Sequence, residues 1–131
     1  MRNINSLKNT SQFREVYENG RSSANRLLVV YVMANGTEER RLGISVSRKV
    51  GNSVIRHRIT RVIRECFVRS EPHLAKGYSF IVVARVQAKE KSFSDLYDAF
   101  IHLCKKLDCY ETQQKNTYSS DQVLSNVSFR A

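Results

Sequence analysis

The apolar positions of this chain switch between helical and strand spacing from one element to the next. Phe13, Val16 and Tyr17 fall on one side of a short helical stretch that Thr10 or Ser11 can cap and Gly20 can close. Arg26 to Met33 then reads Arg-Leu-Leu-Val-Val-Tyr-Val-Met, a strand-favouring run of β-branched and aromatic residues. Asn35-Gly36 follows as a hairpin signal, which predicts a return strand beside the first from about Arg40 to Val46. After Gly51 and Asn52, which suit a turn and an N-cap, Ile55, Ile59, Val62 and Cys66 recur at helical spacing and predict one buried stripe. That helix runs to about Arg69 and stops before Pro72, the one proline. Tyr78 to Val86, containing Phe80-Ile81-Val82-Val83-Ala84, is almost continuously apolar and predicts a strand in the middle of the sheet. A last helix starts at Ser92 or Ser94, carries Asp95 in its first turn and repeats Leu96, Phe100, Leu103 and Leu107 along one face, with Lys105 and Lys106 near its end.

The predicted order is helix, two or three strands, helix, strand, helix: an α+β or α/β sandwich of two layers, with residues 1–110 as one domain. From Glu111 onward Thr, Gln, Lys, Asn, Ser and Tyr dominate, so 111–131 is expected to be a polar, flexible tail.

Charge changes the picture at one place. The chain has 131 residues and a formal net charge of +10, and Ser47 to Arg69 holds seven of its 22 Lys and Arg residues against the single Glu65. On a helical projection His57, Arg61 and Arg64 lie opposite the apolar stripe, with Arg56 and Arg58 at its two margins. A solvated helix face is the plain alternative, but acidic residues hardly alternate along the run and Arg dominates over Lys. Guanidinium groups bind phosphate bidentately and stack on bases, so the patch points to a polyanionic partner.

Catalytic chemistry is absent from the pattern. The carboxylates are scattered, and their closest pair, Glu38-Glu39, lies in a hairpin loop. Gly43 and Gly51 form no phosphate-binding loop. Cys66, Cys104 and Cys109 read as reduced, packed thiols, and His102, Cys104 and Cys109 lack a fourth ligand, so no metal site is expected. His57 offers an imidazole able to hydrogen bond a base or a ribose. Met1 to Ser11 has no apolar run and no segment reaches the roughly 20 apolar residues of a membrane span, so a soluble, cytoplasmic protein without a membrane partner is expected.

One stretch is more specific than any of this. Gly43-Ile-Ser-Val-Ser-Arg-Lys-Val-Gly-Asn-Ser-Val-Ile-Arg-His-Arg-Ile-Thr-Arg-Val-Ile-Arg-Glu-Cys-Phe67 resembles the signature of the protein subunit of bacterial ribonuclease P, Val-Ser-Lys-Lys-x-Gly-Asn-Ala-Val-x-Arg-Asn-Arg-x-Lys-Arg-x-x-Arg. Leu7-Lys8 and Phe13 to Gly20 look like that family's first helix and its approach, Ala24-Asn25-Arg26 like the start of its first strand, and Tyr78 to Arg85 like its later buried strand. The resemblance implies an α+β fold with a left-handed βαβ crossover. It also implies a division of labour, in which an RNA subunit with Mg2+ performs the phosphodiester hydrolysis while the protein, carrying no cofactor, binds that RNA and the 5′ leader of precursor tRNA. Carried over by position, Arg48, Lys49, Asn52, Arg56, His57, Arg58, Arg61 and Arg64 would meet the RNA subunit. Phe13, Tyr17 and Tyr31, with Arg56 and His57, would line the leader groove. Ordinary core packing is the competing role for Phe13 and Tyr17. His57 stands where the motif has Asn, Thr60 where it has Lys, and Arg48 where it has Lys.

Two other readings share the basic helix. One is an RNA-binding structural or ribosome-associated protein without a cleavage role. The other is a helix-turn-helix DNA binder, disfavoured because strand signals rather than a short helix precede Gly51.

Overall fold

In the computed structural model, which describes residues 4–111, the chain forms β1 (Asn5–Ser6), α1 (Thr10–Asn19), β2 (Arg21–Ala24), β3 (Leu28–Ala34), β4 (Arg41–Ser45), α2 (Ser53–Ser70), β5 (Tyr78–Ala84) and α3 (Phe93–Lys106). Single 3-10 turns at Glu71–His73 and Val86–Ala88 flank β5. The expected tail lies, apart from Glu111, outside the described residues.

One mixed sheet of five strands runs in the order β1-β4-β5-β3-β2. β5 pairs parallel with β4 and antiparallel with β3, so β4-α2-β5 is a βαβ unit. The central position of β5 follows from its sequence. Phe80, Val82 and Ala84 enter the large core under α2 and α3, while Ile81 packs with Val16 of α1 and Leu7 on the other face. A strand apolar on both sides has to be covered on both.

The same demand overturns the predicted hairpin. β3 and β4 are not neighbours, because β5 lies between them, a separation of about 9–10 Å that a two-residue turn cannot span. The loop at 35–40 spans it and is stitched to the approach of β5: Asn35 N–H donates to the Gly77 carbonyl at 2.8 Å, and Gly77 N–H donates to Glu39 at 3.1 Å. Gly36, at φ +74°, does supply the left-handed turn residue. The tight hairpin of the fold is instead β2–β3. Its turn is held by the Asn25 side chain, whose Oδ1 accepts from the Leu27 and Leu28 amides at 3.1 and 3.0 Å. Ala24-Asn25-Arg26 is therefore the corner of this hairpin rather than the start of a strand.

Three further expectations shift. α1 is capped by Asn9, not Thr10 or Ser11: Asn9 Oδ1 accepts from the Gln12 amide at 3.0 Å, and Gln12 reaches back in a capping box. The fully buried stripe of α2 is Ile59, Ile63, Cys66, Phe67 and Ser70, with Ile55 and Val62 half-buried at its margin. β5 ends at Ala84, and Val86 is 52% exposed. The last helix behaves as its pattern implies. Ser92 caps it in a capping box with Asp95, and Leu96, Phe100, Leu103 and Leu107 are all buried. It ends in a Schellman turn: Asp108 adopts φ 62°, and the Cys109 amide donates to Cys104 at 2.9 Å.

Phe67 of α2 meets Phe80 of β5 edge-on, with centroids 5.7 Å apart at 70°, and both rings are fully buried. Phe80→Ala should cost about 3–5 kcal/mol in urea unfolding, the cavity left between α2 and the sheet adding to the lost transfer energy. Burial, assisted by Glu65, pushes the Cys66 thiol from its ordinary 9.0 up to about 12. The folded value exceeds the unfolded one, so this contribution to stability is intact below about pH 9 and is lost as pH rises through 12. Native protein at pH 8 should therefore resist alkylation at Cys66, and labelling should appear only on unfolding.

Candidate nucleic-acid interface

The two faces of the sheet are covered unequally. Among the described residues α2 and α3 close one face, whereas the other carries only the ten-residue α1, seated through Val16 against Ile81 and Leu7. Phe13 packs close against β4 because residue 43 has no side chain. A Cβ there would sit 2.7 Å from Phe13 Cζ and 3.0 Å from Leu7 Cδ1. One turn further along, Tyr17 is 39% exposed and meets Tyr31 of β3 edge-on at 4.8 Å, with the Phe13 ring 6.4 Å away. Burial pushes the Tyr17 phenol up, a hydrogen bond with the Ser45 side chain pulls it back, and Tyr31 adds to the rise. Beyond Tyr17 the rung Ser45–Val83–Val29 stays only half-covered. The result is an open trough with an aromatic wall. Phe13 and Tyr31 thus serve packing and surface at once, and Tyr17 presents its ring to solvent.

β4 leaves this floor at Ser45 and leads into α2. The connection is fixed by a turn, Val50 N–H to the Ser47 carbonyl at 3.1 Å, and by the buried Val50, which leaves Arg48 and Lys49 exposed. Asn52 uses its Oδ1 to cap α2 through the Ile55 amide at 3.0 Å. His57 and Arg61 are exposed and Arg64 half-exposed, opposite the buried stripe. Among the described residues, the cation–carboxylate pairs are Arg40–Glu71, Arg41–Glu39 and Arg69–Glu65, so no motif arginine is neutralised by an acid.

Two of the motif arginines have backbone partners that the sequence did not indicate. Arg56 Nε donates to the Gly51 carbonyl at 3.1 Å, bracing the cap turn with its terminal nitrogens left over. Arg58 Nη2 donates to the Lys89 carbonyl at 2.9 Å and to that of Lys91 at 3.4 Å. Thr60 Oγ1 donates to the Arg56 carbonyl at 2.9 Å and adds no charge. The structure brings Phe13, Tyr17 and Tyr31 together, and it sets the basic residues along α2 and its entry. Among the described residues no hydrogen bond, ion pair or ring contact links Arg56 or His57 to the three aromatics. Sequence reasoning missed Gly43 and Ser45, and the signal available was a glycine inside a strand run. It also missed Val54, 75% exposed within the basic face.

Among the described residues no group of three or more His, Cys, Asp or Glu side chains is placed to hold a metal ion, and no helix is long and apolar enough to cross a membrane.

An α+β sheet with one open aromatic face and an arginine helix crossing between its parallel strands defines the ribonuclease P protein class. The family profile described as Ribonuclease P matches residues 1–108, and this chain belongs to that family. Among its relatives, the ribonuclease P protein component of Lachnoclostridium phytofermentans is 50% identical over 100 residues, covering 76% of this chain and 86% of the relative. The RNase P protein of Staphylococcus aureus superimposes with a TM-score of 0.76 at 35% identity, over 83% of this chain and all of the other. That of Thermotoga maritima gives 0.72 at 28% identity, over 80% and 97%. The family's place is in tRNA processing, as the protein component of an endoribonuclease.

Gly43→Ala should push Phe13 off the strands and lower stability by about 1–3 kcal/mol in denaturant titration, as overpacking does. It should also change Tyr fluorescence through the Phe13–Tyr17–Tyr31 cluster.

Proposed function

We propose that this chain binds the catalytic RNA of ribonuclease P through the outward face of α2 and holds the 5′ leader of precursor tRNA in the aromatic trough, assisting removal of the leader to give the mature 5′ end. The observation that carries this reading is the row of motif cations with no acidic partner among the described residues, placed on a helix whose other side is fixed in the core. Among the described residues Arg48, Lys49, Arg56, Arg61 and Arg64 are ion-paired with no carboxylate, and a polyanion supplies the missing charge.

Single-stranded RNA fits the trough. Its unstacked bases can lie on aromatic faces, worth about 1–3 kcal/mol per base, while its phosphates reach neighbouring guanidinium groups. Tyr17 offers the exposed ring and Tyr31 the wall, and Arg56 keeps two terminal nitrogens for a phosphate while its Nε holds the cap turn. His57 has hydrogen-bonding capacity where the motif has an amide. Hydrolysis on this reading belongs to the RNA subunit and its Mg2+, with the protein neutralising repulsion between leader and catalytic RNA.

Binding to the RNA subunit should fall steeply with salt: about five or six phosphate contacts give a log-log slope near −4 to −5, a loss on the order of several hundredfold to a thousandfold between 50 and 200 mM. Arg61→Ala with Arg64→Ala should flatten that slope by about 2 and leave the melting curve in place. The protein should stimulate leader removal by the RNA subunit at low magnesium. A wild-type slope near −1, or no stimulation, would remove this reading in favour of a structural RNA-binding protein.

A further inference from the structure

Arg58 is set apart from the other motif arginines by what it touches. Its Nη2 donates to two main-chain carbonyls, Lys89 at 2.9 Å and Lys91 at 3.4 Å, in the loop that joins β5 to α3. That loop is tightly wound. Ala88 N–H donates to the Arg85 carbonyl at 2.9 Å, Lys89 to Val86 at 3.1 Å and Lys91 to Ala88 at 3.2 Å, and Ala88 itself is a fully buried plug in the core. The turns leave the Arg85, Lys89 and Lys91 side chains exposed. Arg85 Nη1 donates to the Asn25 carbonyl at 3.1 Å, which holds the start of the loop. The end of the loop is held by the Ser92 cap of α3 and by Arg58.

β4 and β5 run parallel, so the end of β5 and the beginning of α2 lie at the same end of the sheet, and the Arg58 bonds join them there. Lys89 and Lys91 are thereby set beside the first turns of α2, with Glu90 between them in the sequence. A guanidinium can serve two carbonyls at once because its donors are fixed in a plane. An ammonium on a flexible stem does this poorly.

We propose that Arg58 is a positioning residue rather than a phosphate ligand. It acts through the backbone of Lys89 and Lys91, fixing that loop so that the two lysines extend the RNA surface of α2 with further phosphate contacts. The inference rests on the proposed binding of the RNA subunit and deepens it.

The two possible roles of Arg58 separate in a double-mutant cycle on RNA-subunit affinity at fixed salt, with Arg58→Ala, Arg58→Lys, Lys89→Ala/Lys91→Ala and the combination of Arg58→Ala with both lysine changes. Wild type is measured first: if it fails to bind the RNA subunit, the proposed function falls and the cycle is not reached. With wild type binding, Arg58→Ala should weaken affinity about tenfold, and Arg58→Lys should do so to within twofold of the same extent despite keeping the charge. The triple variant should be within twofold of Lys89→Ala/Lys91→Ala. The amide resonances of Lys89 to Ser92 should move in Arg58→Lys while those of α3 beyond its first turn stay in place, showing that the fold persists. Recovery of wild-type affinity by Arg58→Lys, losses that multiply in the triple variant, or no loss from Lys89→Ala/Lys91→Ala would each overturn the proposal.

Discussion

The seam between α2 and β5 is the constraint on which the rest depends. Phe67 and Phe80 meet edge-on within it, and Ile59, Ile63 and Cys66 continue the contact along the helix. A helix this basic has little reason to fold on its own, because its arginines repel one another and tertiary packing supplies most helical stability. The seam provides that stability and, in the same act, fixes which way the charges face. Rotating α2 by one residue, about 100°, would bring guanidinium groups into the core without partners, a cost that hydrophobic burial could not offset.

The asymmetry of the sheet follows from the same seam. With α2 and α3 sharing one face, α1 is the one described helix left for the other, and its ten residues cannot reach across five strands. The uncovered rungs are a direct result of element lengths. What occupies them is decided by small local choices: a glycine at 43 on which a ring can lie, a tyrosine at 17 one turn further out, and a second tyrosine at 31 standing against it.

Much of this was legible in the sequence. The continuous apolar run of β5 announced a strand in the middle of the sheet, the spacing of Leu96, Phe100, Leu103 and Leu107 gave α3 its buried side, and Asn52 announced the start of α2. Asn5–Ser6 and Arg21–Ala24 carry no apolar alternation, and they are strands only because β4 and β3 offer them an edge. The hairpin at Asn35-Gly36 misled because turn chemistry is local, whereas the insertion of β5 is decided forty residues later by burial. Within the candidate site, the motif revealed which residues are basic but not which are occupied. Arg58 finds its carbonyl partners 31 and 33 residues away, a pairing that no local pattern encodes.

The end of the described chain is fastened in a particular place. Leu74 and Tyr110 form an isolated bridge, Ala75 N–H donates to the Cys109 carbonyl at 2.9 Å, and Glu111 N–H to that of His73 at 2.7 Å. Glu111 is thus tied to the turn that follows the last residue of α2, and the eighteen residues of that helix put about 27 Å between it and the Asn52 cap. A dye or affinity handle installed at position 111 would sit clear of the cap turn, giving single-molecule measurements a tethering point far from the Arg56 and Arg58 braces.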